Sequence, residues 1–156
     1  MSASSVTHAT FEVERRYPGP PALAFAAWSD PAIKARWFGR AGWDEELYEL
    51  DFRVGGRERR QGRGPDGSVH VFDARFQDIV APERIIFSYD MHVDERRISV
   101  SLVTVTLEPR GMGTRLSLVE QGAFLDDLDD ATQRRGGFEA LLDRLATVLN
   151  VRDGRA

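Results

Sequence analysis

Hydrophobic and polar positions along this chain follow a period of two through its middle and a period of three to four at its end. Residues 10–17 alternate as a strand does, and Pro18, Gly19, Pro20 and Pro21 then stop it. Two short helices are predicted next. Pro21 suits the first helical position of a helix over 22–28, while Asp30 and Pro31 form an N-cap and N1 pair for a second helix that Gly39 ends. From Glu46 onward Leu47, Glu49 and Asp51 alternate with Tyr48, Leu50 and Phe52 ahead of a Gly55-Gly56 turn. Pro65-Asp66-Gly67, Ala81-Pro82-Glu83, Asp94-Glu95 and Gly111-Met112-Gly113 read as further turns. They leave strands near 57–62, 69–80, 84–93, 98–108 and 114–121. Strands joined by connections this short pair as antiparallel hairpins.

Near the C-terminus Phe138, Leu141, Leu142, Leu145, Val148 and Leu149 recur at steps of three and four, marking one apolar helical face. Asp130 with Gln133 resembles a capping box, so the spacing predicts a helix over 132–150, about 28 Å long and able to cross the whole sheet. Gly136 and Gly137 oppose it, each costing about 1 kcal/mol relative to alanine. Either the backbone passes close to the sheet or to a ligand there, or the first turn before Phe138 is separate. The order of the elements, one strand, two short helices, further antiparallel strands and a long helix, resembles the α+β helix-grip fold, in which a curved antiparallel sheet of six to seven strands wraps around a long C-terminal helix.

Size and composition narrow the function. A chain of 156 residues, 42% hydrophobic and 29% charged, suits one globular domain, placed at 10–150 with flexible tails at 1–9 and 151–156. Lys and Arg number 21 against 25 acidic residues, a net charge of −4 that offers no basic field for nucleic acid. The absence of cysteine excludes disulfides, thiolate metal sites and cysteine nucleophiles. Residues 1–10 lack a signal-peptide pattern and no window is apolar enough to span a bilayer, so a cytoplasmic location without membrane insertion is expected.

Particular segments carry a family resemblance. Trp37-Phe38-Gly39, Phe52-Arg53-Val54-Gly55-Gly56-Arg57, Pro82-Glu83-Arg84-Ile85 with Phe87, Gly113-Thr114-Arg115-Leu116 and Leu141-Leu142-Asp143-Arg144-Leu145 stand in the order found in one family. It is the family related to the C-terminal domain of the activator of Hsp90 ATPase, within the START and Bet v 1-like superfamily. The resemblance covers residues 10–150 and implies the helix-grip fold with a ligand cavity between sheet and long helix. The family's co-chaperone carries a separate N-terminal domain for which this chain has no room. Two departures stand out. The strand Arg57-Glu58-Arg59-Arg60-Gln61 is charged where many relatives are aromatic or aliphatic, and Gly137-Phe138 replaces a common Gly-Trp pair.

The expected function is binding of a hydrophobic or amphipathic small molecule, by a monomer or homodimer, with no cofactor and no metal. Candidate ligand-binding residues are Trp37, Phe38, Trp43, Arg59, Phe72, Tyr89, His92, Glu120, Phe124, Phe138 and Leu142. The arginine-rich strand suits an anionic ligand if some of its side chains point inward, or else it is a charged edge strand that discourages aggregation. His70, His92 and Asp90 lie on neighbouring strands, but whether they share a face depends on a one-residue choice of register. Asp90, His92 and Glu120 are the candidate acid–base groups for a cyclase- or hydrolase-type alternative, and Arg57, Arg59 or Arg115 are the partners that would make them plain ion pairs. A co-chaperone-like interaction module is the other alternative. In the acidic run after Glu120, Asp129 and Asp130 suit a helix N-terminus, whereas Phe124 and Leu125 suit a lid. The chain has no G-x-S-x-G, G-x-G-x-x-G or H-E-x-x-H motif.

Overall fold

The structure, a computed structural model, describes residues 4–152. In chain order the elements are β1 (Val6–Pro18), α1 (Pro21–Ser29), α2 (Pro31–Lys34), β2 (Asp44–Leu50), β3 (Arg57–Arg63), β4 (Val69–Val80), β5 (Arg84–Val93), β6 (Arg96–Arg110), β7 (Gly113–Leu125) and α3 (Ala131–Arg152). All seven strands form one antiparallel sheet in the order β1-β7-β6-β5-β4-β3-β2, so hairpins build everything except the return of β1 to β7. This is the α+β helix-grip arrangement that the order of predicted elements resembles. Register shifts at Glu45/Leu47, Phe76/Asp78 and Met91/His92 interrupt the ladders, and irregularities of this kind bend the strands.

Burial follows the strand period. Ile85, Phe87 and Tyr89 on β5, Phe72, Ala74 and Phe76 on β4 and Val103, Val105 and Leu107 on β6 form the inner face. Against it α3 sets Phe138, Leu142, Leu145 and Leu149, and Trp28 and Trp37 complete the core in edge contact at 4.8 Å. Burying those four α3 side chains is worth roughly 6–12 kcal/mol, well above the roughly 2 kcal/mol that two helical glycines cost. The helix is accordingly continuous through Gly136 and Gly137 from its N-cap, where Asp130 Oδ1 accepts from Gln133 N at 2.8 Å. A Cβ at either glycine would meet no atom within 4 Å, so close approach to the sheet is not what places them there.

Several boundaries differ from expectation. β1 begins at Val6 rather than residue 10, because Val6–Ala9 continue the pairing with Leu125–Gly122 although exposure hides any alternation there. Of the tails predicted at 1–9 and 151–156, only 1–3 and 153–156 fall outside the described residues, since α3 runs to Arg152. The second helix stops at Lys34. Gly39 is not its left-handed cap: a Cβ at Gly39 would sit 2.1 Å from Arg60 Nη2, so the glycine makes room for a guanidinium. The two-residue β5–β6 turn uses left-handed Asp94 and Glu95 (φ 48° and 69°), and Asp94 Oδ1 compensates by accepting from Val69 N at 2.8 Å. The charged strand is not an edge, because β2 covers β3. Among the described residues no helix is long and apolar enough to cross a membrane.

Candidate functional site

A cavity of about 420 Å³ opens between the inner face of β3–β5, the segment following α2 and the first half of α3. Its size lies within the range that holds a small organic molecule. The walls are mainly apolar: Phe38, Phe72, Tyr89, Met91, Phe138 and Leu141, with Trp43 at one end. Phe38 and Phe72 meet edge to face at 5.0 Å, and Tyr89 lies 6.4 Å from Phe138 in the same manner. Trp43 packs against His70 at 4.6 Å, with the Arg40 guanidinium over its ring. Gly137 also borders the space, so its missing side chain leaves volume where an alanine or leucine would intrude.

The strand period decides which polar residues reach the cavity. On β3, Glu58, Arg60 and Gly62 face inward while Arg57, Arg59 and Gln61 face outward. Arg57 forms a two-pronged pair with Asp73 outside, at 2.8 and 2.7 Å. Arg59 and His92 lie together in an outer groove with Val71 and Asp73, which removes both from the cavity. Register explains the error for His92: it pairs with Val71, one position from His70, so the two histidines occupy opposite faces. Asp90 is also outside, 3.5 Å from Arg97. The acid–base trio Asp90, His92 and Glu120 therefore does not converge. Trp37 and Leu142 are fully buried in the core instead, Trp37 donating to the Ala27 carbonyl at 3.0 Å and Leu142 lending its carbonyl to the Tyr17 hydroxyl at 2.9 Å.

Glu120 and Phe124 lie beneath the cavity rather than in its wall. Tyr89 donates to the Glu120 carboxylate at 2.9 Å, Ser101 Oγ donates to it at 2.7 Å, and Arg134 Nη1 reaches it at 3.3 Å. Arg134 also donates to Tyr89 Oη at 2.7 Å, Ser99 Oγ at 2.8 Å and Asp129 Oδ2 at 2.8 Å, with its guanidinium over the Phe124 ring. Burial pushes the Glu120 carboxyl above its usual range, against the pull of Arg134. Burial, reinforced by the charge of Glu120, holds the Tyr89 phenol firmly protonated. Asp129 thus anchors Arg134, while Phe124 packs under it rather than covering the mouth.

A second buried network supports the opposite wall. Lys34 Nζ lies 2.6 Å from Glu58 Oε1, both side chains fully buried, and Tyr48 donates to Glu58 Oε2 at 2.9 Å. The ammonium sits 4.4 Å from the centre of the Phe38 ring and 5.0 Å from that of Trp28. Burial pushes Lys34 down and the adjacent Glu58 carboxylate opposes it. Burial likewise lowers the His70 imidazole, helped by the charge of Arg40, and its Nε2 lies 3.1 Å from Ser68 Oγ.

Sequence reasoning missed Arg40, Met91, Arg134, Leu141 and Arg144 as cavity residues, and it named Arg60 and His70 without assigning either to the cavity. One signal was available. Arg134 stands four residues before Phe138 and seven before Leu141, so it continues the buried stripe of α3 with a charge in place of an apolar side chain.

Residues 18–150 match the family described as Activator of Hsp90 ATPase homolog 1-like protein. Among solved structures, a Rhizobium leguminosarum protein described as uncharacterized is 42% identical with a TM-score of 0.91, covering 96% of this chain and 99% of that one. A Rhizobium loti protein is 45% identical with a TM-score of 0.87, covering 93% and 99%. One from Chromobacterium violaceum is 28% identical with a TM-score of 0.77, covering 90% and 96%. No protein of curated function matches the sequence.

Proposed function

We propose, from the premise that this chain belongs to the Activator of Hsp90 ATPase homolog 1-like family, that its cavity binds an amphipathic small molecule with a flat or ring-bearing apolar body. Proteins of this fold commonly bind hydrophobic ligands. The observation that carries the reading is the 420 Å³ space itself, walled by aromatic rings and bordered by a glycine whose missing side chain the helix would otherwise favour. Catalysis is not needed to explain it: the buried carboxylate Glu120 is already occupied by Tyr89, Ser101 and Arg134.

The test is a thermal-shift screen of the purified protein against aromatic acids, fatty acids and polyphenols. A ligand at about 100 times its dissociation constant adds about 2.7 kcal/mol, a rise of several degrees for a domain of this size. Phe138→Ala, which removes a ring from the wall, should abolish that rise. The absence of a shift with every class would move the reading to a protein partner.

A further inference from the structure

Four guanidinium groups border the cavity, those of Arg40, Arg60, Arg134 and Arg144, against two carboxylates, Asp44 and Glu45. They are not equally committed. Arg134 is held by Glu120 and Asp129. Arg144 is directed at main-chain oxygens, donating to the carbonyl of Gly39 and, at 3.5 Å, to that of Arg36. Arg60 and Arg40 have charge to spare.

The side chain of Arg60 is only 17% exposed, and its buried Nη1 makes no hydrogen bond. Glu45 Oε1 lies 3.2 Å from that nitrogen, close enough for an ion pair but out of hydrogen-bonding alignment. The fold nonetheless holds the group in place, with Gly39 leaving space for Nη2 and the Tyr48 ring 5.2 Å away. Arg144 adds like charge beside it. Arg40 is exposed where the cavity meets solvent, lies 4.7 Å over Trp43 and has no ion-pair partner among the described residues. A half-buried guanidinium lacking an aligned acceptor is unfavourable, and a planar carboxylate supplies the two oxygens that its fork matches.

Building on the amphipathic-ligand reading above, we propose that the ligand is an anion: an apolar, ring-bearing carboxylate whose head group is bound by Arg60, with Arg40 at the mouth and the body among Phe38, Phe72, Tyr89 and Phe138. The charge of β3, the feature that departs from a greasy cavity, then has a specific use at Arg60, whereas Arg59, whose buried Nε also makes no hydrogen bond, faces the outer groove and not the cavity.

Calorimetric titration with 2-naphthoate and its uncharged counterpart 2-naphthamide tests this. The carboxylate is expected to bind at least about tenfold more tightly, as one charge-assisted contact implies. Arg60→Met should reduce that ratio to about twofold or less while the amide affinity holds. Arg40→Gln, at an exposed position that does not endanger folding, should lower the ratio several-fold, and Arg59→Gln on the outer face should leave it unchanged. Amide binding as tight as the carboxylate, or a preference that survives both Arg60→Met and Arg40→Gln, would overturn the anion proposal and leave the cavity reading standing. Binding of neither probe would overturn both. If Arg60→Met fails to fold, the comparison of Arg40→Gln with Arg59→Gln decides.

Discussion

Replacing Lys34 by methionine is expected to unfold this protein more effectively than most surface changes, although the residue sits on a helix of four residues. The Nζ lies 2.6 Å from Glu58 Oε1, with both side chains wholly removed from solvent. Removal of the ammonium leaves Glu58 buried with only the Tyr48 hydroxyl as partner, at 2.9 Å. Breaking a buried pair on one side costs about 3–5 kcal/mol, a large part of the roughly 5–15 kcal/mol that holds a domain together. At roughly 2–4 °C per kcal/mol for this size, the midpoint should fall by about 6–20 °C. The double variant Lys34→Met/Glu58→Met removes the charge and its partner together and substitutes apolar volume against Trp28, Phe38 and Phe76, so it should regain most of the loss. Urea unfolding followed by tryptophan fluorescence gives the four corners of the cycle. A loss below about 1 kcal/mol for Lys34→Met, or a double variant as unstable as the single one, would refute the view that charge compensation matters there.

Three further outcomes follow from the cavity floor and from the glycines of α3. Because burial raises the Glu120 carboxyl, the folded state keeps a proton that the unfolded chain, at 4.5, has released. Its contribution is fully present below 4.5 and is lost as pH rises through the raised folded value. The stability of the native protein relative to Glu120→Gln should therefore decline in urea titrations as pH rises above 4.5, and a flat difference would contradict the assignment. On α3, Gly136→Ala should stabilise by about 0.5–1 kcal/mol, since a methyl there meets nothing and gains helix propensity. Gly137→Leu should fold but lose the thermal shift with 2-naphthoate, because Gly137 borders the cavity and Gly136 does not. Equal binding by both variants would show that Gly137 guards no ligand space.

The elements of the fold were legible because each is written in a local period. Prolines 18, 20 and 21, the Asp30-Pro31 pair and the stripe from Phe138 to Leu149 act within a few residues, and the structure places β1, α1, α2 and α3 around them. The candidate site was legible only in part. Phe38, Trp43, Phe72, Tyr89 and Phe138 border the cavity, but Arg59 and His92 fall on the far face and Trp37 and Leu142 in the core. A strand's side chains alternate, so a residue assigned to the cavity without register can lie one position out, as Arg59 does beside Arg60, which borders the cavity.

What the sequence determined by itself was therefore the order, type and approximate extent of the elements and the presence of more charge than a simple apolar cavity requires. Which charges lie inside was decided by tertiary structure. Glu58 meets Lys34 across 24 positions, and Tyr89 meets Glu120 across 31 and Arg134 across 45. No local pattern encodes such pairs, because they depend on how the hairpins align and on where α3 crosses the sheet. The burial that makes them consequential exists only once the sheet has closed over the helix.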